Sequence, residues 1–504
     1  MIENAYKKVN HAQSQRKAVH LQLTERVGEQ AGGKPFKVTT PSNDHLLITS
    51  PELIRELIDA PLNRLSLHAV AKEILQPRYT MHGFEWQDQR GVEGTGFVRA
   101  LRSLLTAHLP ALQSDFERIL QAAFNTELGN PGDDGFSRVR IFPTIKRTVT
   151  NVNCFVFFGE EMCKNTRFVE AALEFPQAVI FAAEFLRITP EFMRPAARTI
   201  FQYLEPVVRK RLQLRDAVDQ AGSPAPVDCV QWLIDTSPRK KHWSPARMVG
   251  EIMAVWFGSV HQLAMTVTYA IEDLCIHNDC IDPLRVEIAG ARTACEELGD
   301  KLLDVEARLP LLDSFLRESI RCTNSDAVTG RRKALAPYTF RDGTSTLAVG
   351  DWVCVPQRAM MNDASRYHSP HVFDAFRFAR AKQHLEKGGT PSSLTTTSLD
   401  WPIWGFGNTA CLVGDWRTKR RKMASEPQDL CKIPAAPSPN GVYNLDNPVT
   451  LEPNLISASV ITTTVATVFL AGRLRYNIHN LGWSDGKPNR PQIPREDTVV
   501  ATLC

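Results

Sequence analysis

The stretch that decides the fold is Trp404-Gly405-Phe406-Gly407-Asn408-Thr409-Ala410-Cys411. Its two closely spaced glycines let the backbone turn tightly and approach a flat partner. The stretch ends on Cys411, whose sulfur could then bind a metal. A glycine-rich loop with one cysteine is, by itself, more often a turn that contains a buried structural thiol. The features upstream therefore decide between the two interpretations.

Two upstream motifs carry charge in a helix and in a loop. Glu318-Ser319-Ile320-Arg321 lies in a helix that is predicted to start near Asp313. Residues i and i+3 share one helix face, so this carboxylate and this guanidinium can pair, although such a pair is usually a solvated surface pair. Phe373-Asp374-Ala375-Phe376-Arg377-Phe378 is predicted to be a loop that presents a second arginine between aromatic residues.

The order and spacing of these three motifs resemble the cytochrome P450 family. That family has a Glu-x-x-Arg helix, then a meander arginine, then a Phe-Gly-x-Gly loop before a cysteine ligand. The resemblance implies that Cys411 is the thiolate ligand of heme (iron protoporphyrin). It also implies that Glu318, Arg321 and Arg377 form a buried triad that braces the heme loop, because two guanidinium forks can share one carboxylate. Further stretches resemble the fungal branch of secondary metabolism, among them Phe158-Gly159-Glu160-Glu161-Met162-Cys163-Lys164-Asn165 and Leu173-Glu174-Phe175-Pro176-Gln177.

The apolar periodicity predicts a mainly α (α+β) fold. The longest predicted helix begins at Ser244-Pro245, a favourable cap followed by a favourable first residue, and continues through Leu274. After Ala336 the pattern changes to short strands separated by a turn at Arg341-Asp342-Gly343. The resemblance implies that this helical fold with a small β region encloses the heme.

The long helix carries the candidate catalytic residues. In the family, a helix over the heme has a stretch that delivers protons to bound oxygen, and Gly258-Ser259-Val260-His261-Gln262 occupies that place here. His261 stands where the family has an acid, and Gln262 stands where it has a threonine. An imidazole can relay protons near neutral pH. The alternative, to which we give equal weight, is that His261 only forms hydrogen bonds within the core.

Heme carries two propionates that need cations. By resemblance Arg332 is the favoured propionate contact, with Arg331 as its neighbour. Arg99 is a weaker candidate, because the family's Trp-x-x-x-Arg form is absent. For each of these three arginines, the alternative is that its side chain faces solvent and binds no propionate. The cofactor-binding residues in the loop itself are Phe406, Gly407 and Thr409, the last in place of the usual Arg or His.

The sequence departs from the family after the cysteine. Leu412-Val413-Gly414-Asp415 leads into a basic, proline-rich segment, and helix-like sequence resumes only at Ala458. We hypothesise that about 413–456 is translated intron or misjoined sequence, and that part of 11–33 shares this origin, with a membrane anchor lost upstream. The predicted organisation is an atypical polar segment at 1–35 and a P450-like domain at 36–504 with an insertion at about 413–456.

Composition limits the partners. The net charge of +4 argues against nucleic acid, whose binders have a concentrated basic face. The sequence has eleven cysteines without a Cys-x-x-Cys pair, which argues against a zinc ribbon or a disulfide framework. The first 40 residues are polar and include no transmembrane segment. The resemblance implies an apolar small-molecule substrate, NADPH electrons delivered by a cytochrome P450 reductase, and a location on the cytoplasmic side of the endoplasmic reticulum.

Three functions fit these residues. The first is a heme-thiolate monooxygenase of fungal secondary metabolism that acts on a terpenoid, alkaloid or polyketide. The second is a heme enzyme that does not activate oxygen, such as an isomerase, a dehydratase or a peroxide-using enzyme, which Gln262 in place of threonine favours. The third is an inactive degenerate product, which the segment after Cys411 favours.

Overall fold

The structure is a computed structural model of the 504-residue chain. The residues it describes are 34–39, 43–84, 104, 106–130, 140–186, 195–216, 226–237, 243–298, 309–324, 326–384, 394 and 398–406.

The described residues are mostly helical. The helices are α1 (Pro51–Asp59), α2 (Leu67–Leu75), α3 (Pro77–Thr80), α4 (Thr106–Leu128), α5 (Ile141–Cys163), α6 (Thr166–Leu186), α7 (Pro195–Asp216), α8 (Cys229–Thr236), α9 (Pro245–Ser259), α10 (His261–Ile276), α11 (Ile281–Leu298), α12 (Pro310–Cys322), α13 (Gln357–Met361) and α14 (Arg377–His384). Short 3-10 turns occupy Asn278–Cys280 and Pro402–Trp404.

The strands form two small sheets. They are β1 (Phe36–Thr39), β2 (Asp44–Leu47), β3 (Leu65–Ser66), β4 (Thr329–Ala334), β5 (Tyr338–Thr339), β6 (Thr346–Leu347) and β7 (Trp352–Val355). The first sheet has the order β1-β2-β7-β4-β3, in which only β2 and β7 are parallel, and β5 pairs with β6 in the second. The prediction of a mainly α (α+β) fold with a small β region is confirmed.

Local sequence signals start several helices. Ser50 precedes Pro51 at the start of α1, and its hydroxyl accepts the Leu53 N–H at 3.3 Å. Ser244 caps α9 in the same way, accepting the Arg247 N–H at 3.2 Å. A capping oxygen satisfies one of the backbone donors that a helix leaves unpaired at its N-terminus.

The long helix predicted from Ser244 to Leu274 is interrupted. It ends as α9 at Ser259 and restarts as α10 at His261, with Val260 between them at φ −103° and ψ −56°. Apolar periodicity continues across this point, because Val260 and Leu263 are both buried. Periodicity reports which side of a segment is buried, so it cannot reveal the loss of backbone hydrogen bonds within the helix.

The stretch predicted as a loop around Arg377 also differs. Arg377 is the first residue of α14. The Arg377 N–H donates to the Asp374 carbonyl at 3.1 Å, which forms the turn before this helix.

Most buried apolar residues form one cluster that includes α5, α9 and α10, and a second, smaller cluster lies beside the first sheet. Trp256 of α9 is fully buried, and its ring lies edge-on to Phe157 of α5 with centroids 5.6 Å apart. Within the described ranges, no helix is long and apolar enough to cross a membrane.

Candidate active site

Glu318, Arg321 and Arg377 meet in the interior. Glu318 on α12 is fully buried. Its two carboxylate oxygens accept from Nε and Nη2 of Arg321, each at 2.8 Å. Nε of Arg377 donates to the same two oxygens at 3.1 and 3.2 Å. The structure therefore brings together the three side chains of the predicted triad around one carboxylate.

The same three side chains connect separate parts of the chain. Nη1 of Arg321 donates to the Met361 carbonyl of α13 at 2.8 Å. The Asp374 N–H donates to Glu318 at 3.0 Å, and Arg377 Nη2 donates to the Val372 carbonyl at 2.9 Å. These bonds hold α12, α13 and the segment before α14 in one arrangement, and the bonds of Glu318 and Arg321 matter most, because these two charged groups are fully buried.

The electrostatics of the triad follow from its geometry. Burial is the largest influence on the pKa of Arg321 and lowers it, but the hydrogen bond to Glu318 and the nearby Glu318, Cys322 and Tyr367 together raise it by more, so the net pKa is above its ordinary value. Arg321 is therefore charged at neutral pH. Hydrogen bonds between charged partners are about twice as strong as neutral ones.

Phe406, the last described residue before the cysteine loop, packs against a glycine. A Cβ at Gly330 of β4 would lie 3.1 Å from two carbons of the Phe406 ring. Gly330 has a φ of +61°, a left-handed conformation that glycine adopts without strain. The bare backbone of Gly330 thus allows the ring to approach the strand.

Two tryptophans fix the turn that leads to Phe406. The indole N–H groups of Trp401 and Trp404 both donate to the Leu394 carbonyl, at 3.2 and 2.7 Å. The guanidinium of Arg317 lies 4.8 Å from the Trp401 ring centroid and 3.9 Å from that of Phe378. Cation–π contacts of this kind stabilise most when they are desolvated, as Arg317 is. Sequence reasoning missed Arg317 and Gly330, and the run of aromatic residues at 401–406 was the available signal for the first.

Arg331 and Arg332 are both buried on β4. Burial lowers the pKa of Arg332 to about 10. Its Nη1 donates to the Arg331 carbonyl at 2.8 Å, and Arg331 lies 3.6 Å from the Asp326 carboxylate. A buried cation with a lowered pKa is stabilised by an anion that reaches it.

The candidate oxygen site lies at the break between α9 and α10. Gly258 is exposed, although its neighbours Phe257 and Val260 are buried. Among the described residues, no atom lies within 4 Å of the position that a Cβ at Gly258 would take. His261 is the first residue of α10, and Gln262 is half-buried with its carbonyl accepting from Thr266 at 3.0 Å. As far as the described residues show, the helix thus borders an open space at the position where the sequence predicts oxygen and substrate.

Several described cysteines are poor candidates for a metal thiolate. Burial raises the pKa of Cys275, Cys280 and Cys354 to about 11. It also raises the pKa of Cys154 and Cys229. A thiol with a raised pKa stays protonated at neutral pH and does not offer the thiolate that binds a metal.

The described residues fit a flat, anionic cofactor such as heme. Gly258 leaves room on the helix, Arg332 supplies a buried cation, and Phe406 is held in the turn that leads to Cys411. The other predicted residues of this site lie outside the described residues. They are Arg99, Gly407, Thr409 and Cys411, and the proposed segments 11–33 and 413–456 lie outside as well.

The chain is similar to known proteins over most of its length. A family model described as Cytochrome P450 matches residues 80–412. Cytochrome P450 monooxygenase olcJ of Penicillium canescens is 26% identical over 75% of this chain and 71% of its own length. Cytochrome P450 monooxygenase paxQ of Penicillium paxilli is 25% identical over 78% and 77%. An ent-kaurene oxidase of Gibberella intermedia is 26% identical over 62% and 60%.

Solved structures share the fold. A retinoic acid-bound cyanobacterial CYP120A1 has a TM-score of 0.55 at 17% identity, over 79% of this chain and 84% of that chain. A zebra fish cytochrome P450 with abiraterone has a TM-score of 0.55 at 16% identity, over 78% and 86%. The matched range of the family model begins in α3 and ends one residue after Cys411.

Proposed function

This chain belongs to the cytochrome P450 family of monooxygenases, and from that premise we propose that it oxidises an apolar small molecule of fungal secondary metabolism. Two observations support the substrate class. The relatives named above are fungal, and one is named for ent-kaurene. Gly258 is exposed beside a space that contains no described atom within 4 Å of its Cβ position, which leaves room for a substrate. Terpenoid, alkaloid and polyketide substrates all fall within this proposal.

Membership of the family implies heme, and we assign its ligand to Cys411. The observation that carries this assignment is the position of Phe406, which is packed on Gly330 five residues before the cysteine. When bound, heme supplies oxygen activation at an iron whose thiolate ligand favours O–O cleavage. The triad of Glu318, Arg321 and Arg377 braces the heme loop, since it joins α12 to α13 and to the segment before α14.

The chain's own residues bind, orient and supply protons. Arg332 would pair with a propionate, and its lowered pKa of about 10 still leaves it charged at neutral pH. Gly258 leaves room for substrate beside the break. His261 and Gln262 begin α10 there, and we assign His261 the supply of protons through its imidazole and Gln262 a hydrogen bond donated by its amide.

Electron supply needs a partner. We propose a cytochrome P450 reductase that draws on NADPH, with the enzyme on the cytoplasmic side of the endoplasmic reticulum. The domain proposal is a P450-like domain at 36–504 with an inserted segment at about 413–456. It is supported by the end of the family match at Leu412, immediately before that segment.

The difference spectrum of the reduced carbon monoxide adduct tests the heme assignment. We expect a band at about 450 nm, which is typical of thiolate-ligated heme, and its loss in Cys411→Ala. Cys275→Ala is the matched control, because it removes a half-buried thiol of α10 and should keep the band. A protein without pigment, or a band that survives in Cys411→Ala, would overturn the assignment.

A heme enzyme that does not activate oxygen is the second candidate. Gln262 stands in place of the family's threonine and favours this candidate. Its amide can donate a hydrogen bond, but it does not pass on a proton. Turnover without NADPH and reductase would identify an isomerase, a dehydratase or a peroxide-using enzyme. Strict dependence on both would identify the monooxygenase.

A further inference from the structure

Asn153 contacts the broken helix from a distant part of the chain. It lies in the middle of α5 and is fully buried. Its side-chain Nδ2 donates to the Ser259 carbonyl at 2.8 Å, across 106 residues of sequence. Ser259 is the last residue of α9, so this bond reaches the break itself.

The Ser259 carbonyl is the acceptor that a continuous helix would use internally. In an unbroken helix the Leu263 N–H would donate to it, four residues on. Here the ladder of α10 begins one residue later, with the Ala264 N–H on the Val260 carbonyl at 3.0 Å. Asn153 therefore takes the place of the Leu263 N–H at this carbonyl.

Neighbouring contacts hold α5 and α9 in the register that this bond requires. Phe157 lies one turn after Asn153 on the same face of α5, and its ring meets Trp256 edge-on. The Trp256 indole N–H donates to the Ala172 carbonyl of α6 at 2.9 Å, and Ser259 Oγ bonds back to the Trp256 carbonyl at 2.9 Å. The end of α9 is thus held by α5 and α6 together.

The other end of the Asn153 amide points to a small ligand. Its Oδ1 is buried and has no hydrogen-bond partner among the described residues. Rotating the amide would bring Oδ1 against the Ser259 carbonyl, two acceptors facing each other, so the orientation is determined. Buried acceptors of this kind are commonly satisfied by an internal water.

We propose that Asn153 is a positioning residue that holds the break between α9 and α10 open and binds one internal water beside it. The inference rests on the proposed function in one respect, namely that oxygen and substrate occupy the space bordered by Gly258. The bond to Ser259 keeps that space from narrowing, because a closed ladder would draw α10 back into line with α9.

Hydrogen exchange of the Leu263 amide tests the proposal directly. In Asn153→Leu and Asn153→Ala the Ser259 carbonyl becomes available to the Leu263 N–H. Exchange at Leu263 should then slow by roughly fivefold to tenfold, the size expected for one hydrogen bond gained. Thr148→Val is the matched control, because Thr148 is buried on α5 and donates only within it, to the Thr144 carbonyl at 2.9 Å. Its Leu263 exchange should equal that of the wild type.

Two further readouts separate this proposal from the proposed function. A crystal structure of the wild type should contain a water within hydrogen-bond distance of Oδ1, and Asn153→Leu should lack it. Product formed per NADPH consumed should fall several-fold in Asn153→Leu and remain unchanged in Thr148→Val. Leu263 exchange can be compared between heme-free preparations of the wild type and the variants, so it decides the proposal even if Cys411→Ala overturns the heme assignment.

Three results would overturn the proposal. One is unchanged or faster Leu263 exchange in both variants of Asn153. Another is an Oδ1 without a water in a well-ordered crystal structure. The third is loss of folding in both variants while Thr148→Val folds, because the amide would then support the whole fold rather than the break.

Discussion

Each carboxylate oxygen of Glu318 accepts from two guanidinium groups in a fully buried site. Taking charges out of water is costly, and the cost is offset only when every donor and acceptor is matched. The three side chains thus behave as one unit, and a change to any member leaves the others charged and buried.

Removing the charge of Glu318 should therefore destabilise the protein strongly. In Glu318→Gln, Arg321 and Arg377 lose their shared counterion, and we expect the free energy of unfolding to fall by about 3–5 kcal/mol. Chemical denaturation followed by circular dichroism measures this change. Glu52→Gln is the control, because Glu52 forms an exposed pair with Arg55 at 3.8 Å and should show no measurable change. Equal stability of the two variants would contradict a buried triad.

Arg332 should matter more for heme than for folding. Because burial depresses its pKa to about 10, its charge costs stability in the heme-free protein below that pH, and a propionate would relieve this cost. We expect Arg332→Leu to weaken heme binding about tenfold, the loss typical of one charged hydrogen bond, without lowering the thermal midpoint of the heme-free protein, because the variant also removes the cost of the buried charge. Heme affinity of the wild type should also fall as the pH rises through about 10.

Lys333→Leu is the control for this prediction. Lys333 is the next residue of β4, so its side chain points to the opposite face of the sheet, where it bonds to Glu73 at 2.7 Å. Heme titration should give the same affinity for Lys333→Leu and wild type. A similar loss in both variants would mean that the propionate is bound elsewhere.

At the scale of the elements, the contact between β4 and the turn before the cysteine depends on one glycine. Gly330→Ala would place a methyl group 3.1 Å from the Phe406 ring, in a left-handed conformation. We expect a loss of about 2–3 kcal/mol, from the backbone strain and the displaced ring together, and a reduced heme content. Absorbance per mole of protein and the thermal midpoint measure the two effects.

Gly343→Ala separates strain from contact. Gly343 has a similar φ of +68°, but among the described residues no atom lies within 4 Å of its Cβ position. It should lose only the strain energy, about 1–2 kcal/mol, and keep its heme content. Equal heme loss in both variants would show that the approach of Phe406 to β4 does not position the loop.

For the whole molecule, the boundary of the family match is informative. The match ends at Leu412, and the proposed insertion begins at Val413. In a chain that joins Leu412 directly to Ser457, we expect the band at about 450 nm to increase several-fold per mole of protein. In a chain in which a Gly/Ser segment of equal length replaces 413–456, the band per mole of protein should be no more intense than in the full chain. The reason is that Leu412 and Ser457 remain separated by the same number of residues.

Comparing the transcript with the genomic locus gives the second measurement. An intron boundary near Val413 would support the hypothesis, and a continuous message that encodes the segment would contradict it. Full heme occupancy in the undivided chain would also contradict it, since the insertion would then have no effect on the ligand loop.

Much of the fold could be predicted from local chemistry. Ser50 and Ser244 cap their helices as their residue types predict, and the short strands after Ala336 lie where the pattern changes. The break at Val260 could not be predicted, because the side chain that bonds to the Ser259 carbonyl beside it, Asn153, is 106 residues away in sequence. The contact of Gly330 with Phe406 was also missed, since a glycine carries no side chain that would reveal a neighbour.

The sequence by itself determined the order of the motifs, the helix starts, the fold class and the membership of a heme-thiolate family. Only the tertiary structure decided which groups meet. Arg377 reaches Glu318 across 59 residues, and Asn153 reaches Ser259 across 106. Local signals act within a few residues of each other, whereas contacts over such separations depend on how whole helices pack. Packing decides them because a buried polar group must find its partner wherever the fold has placed one.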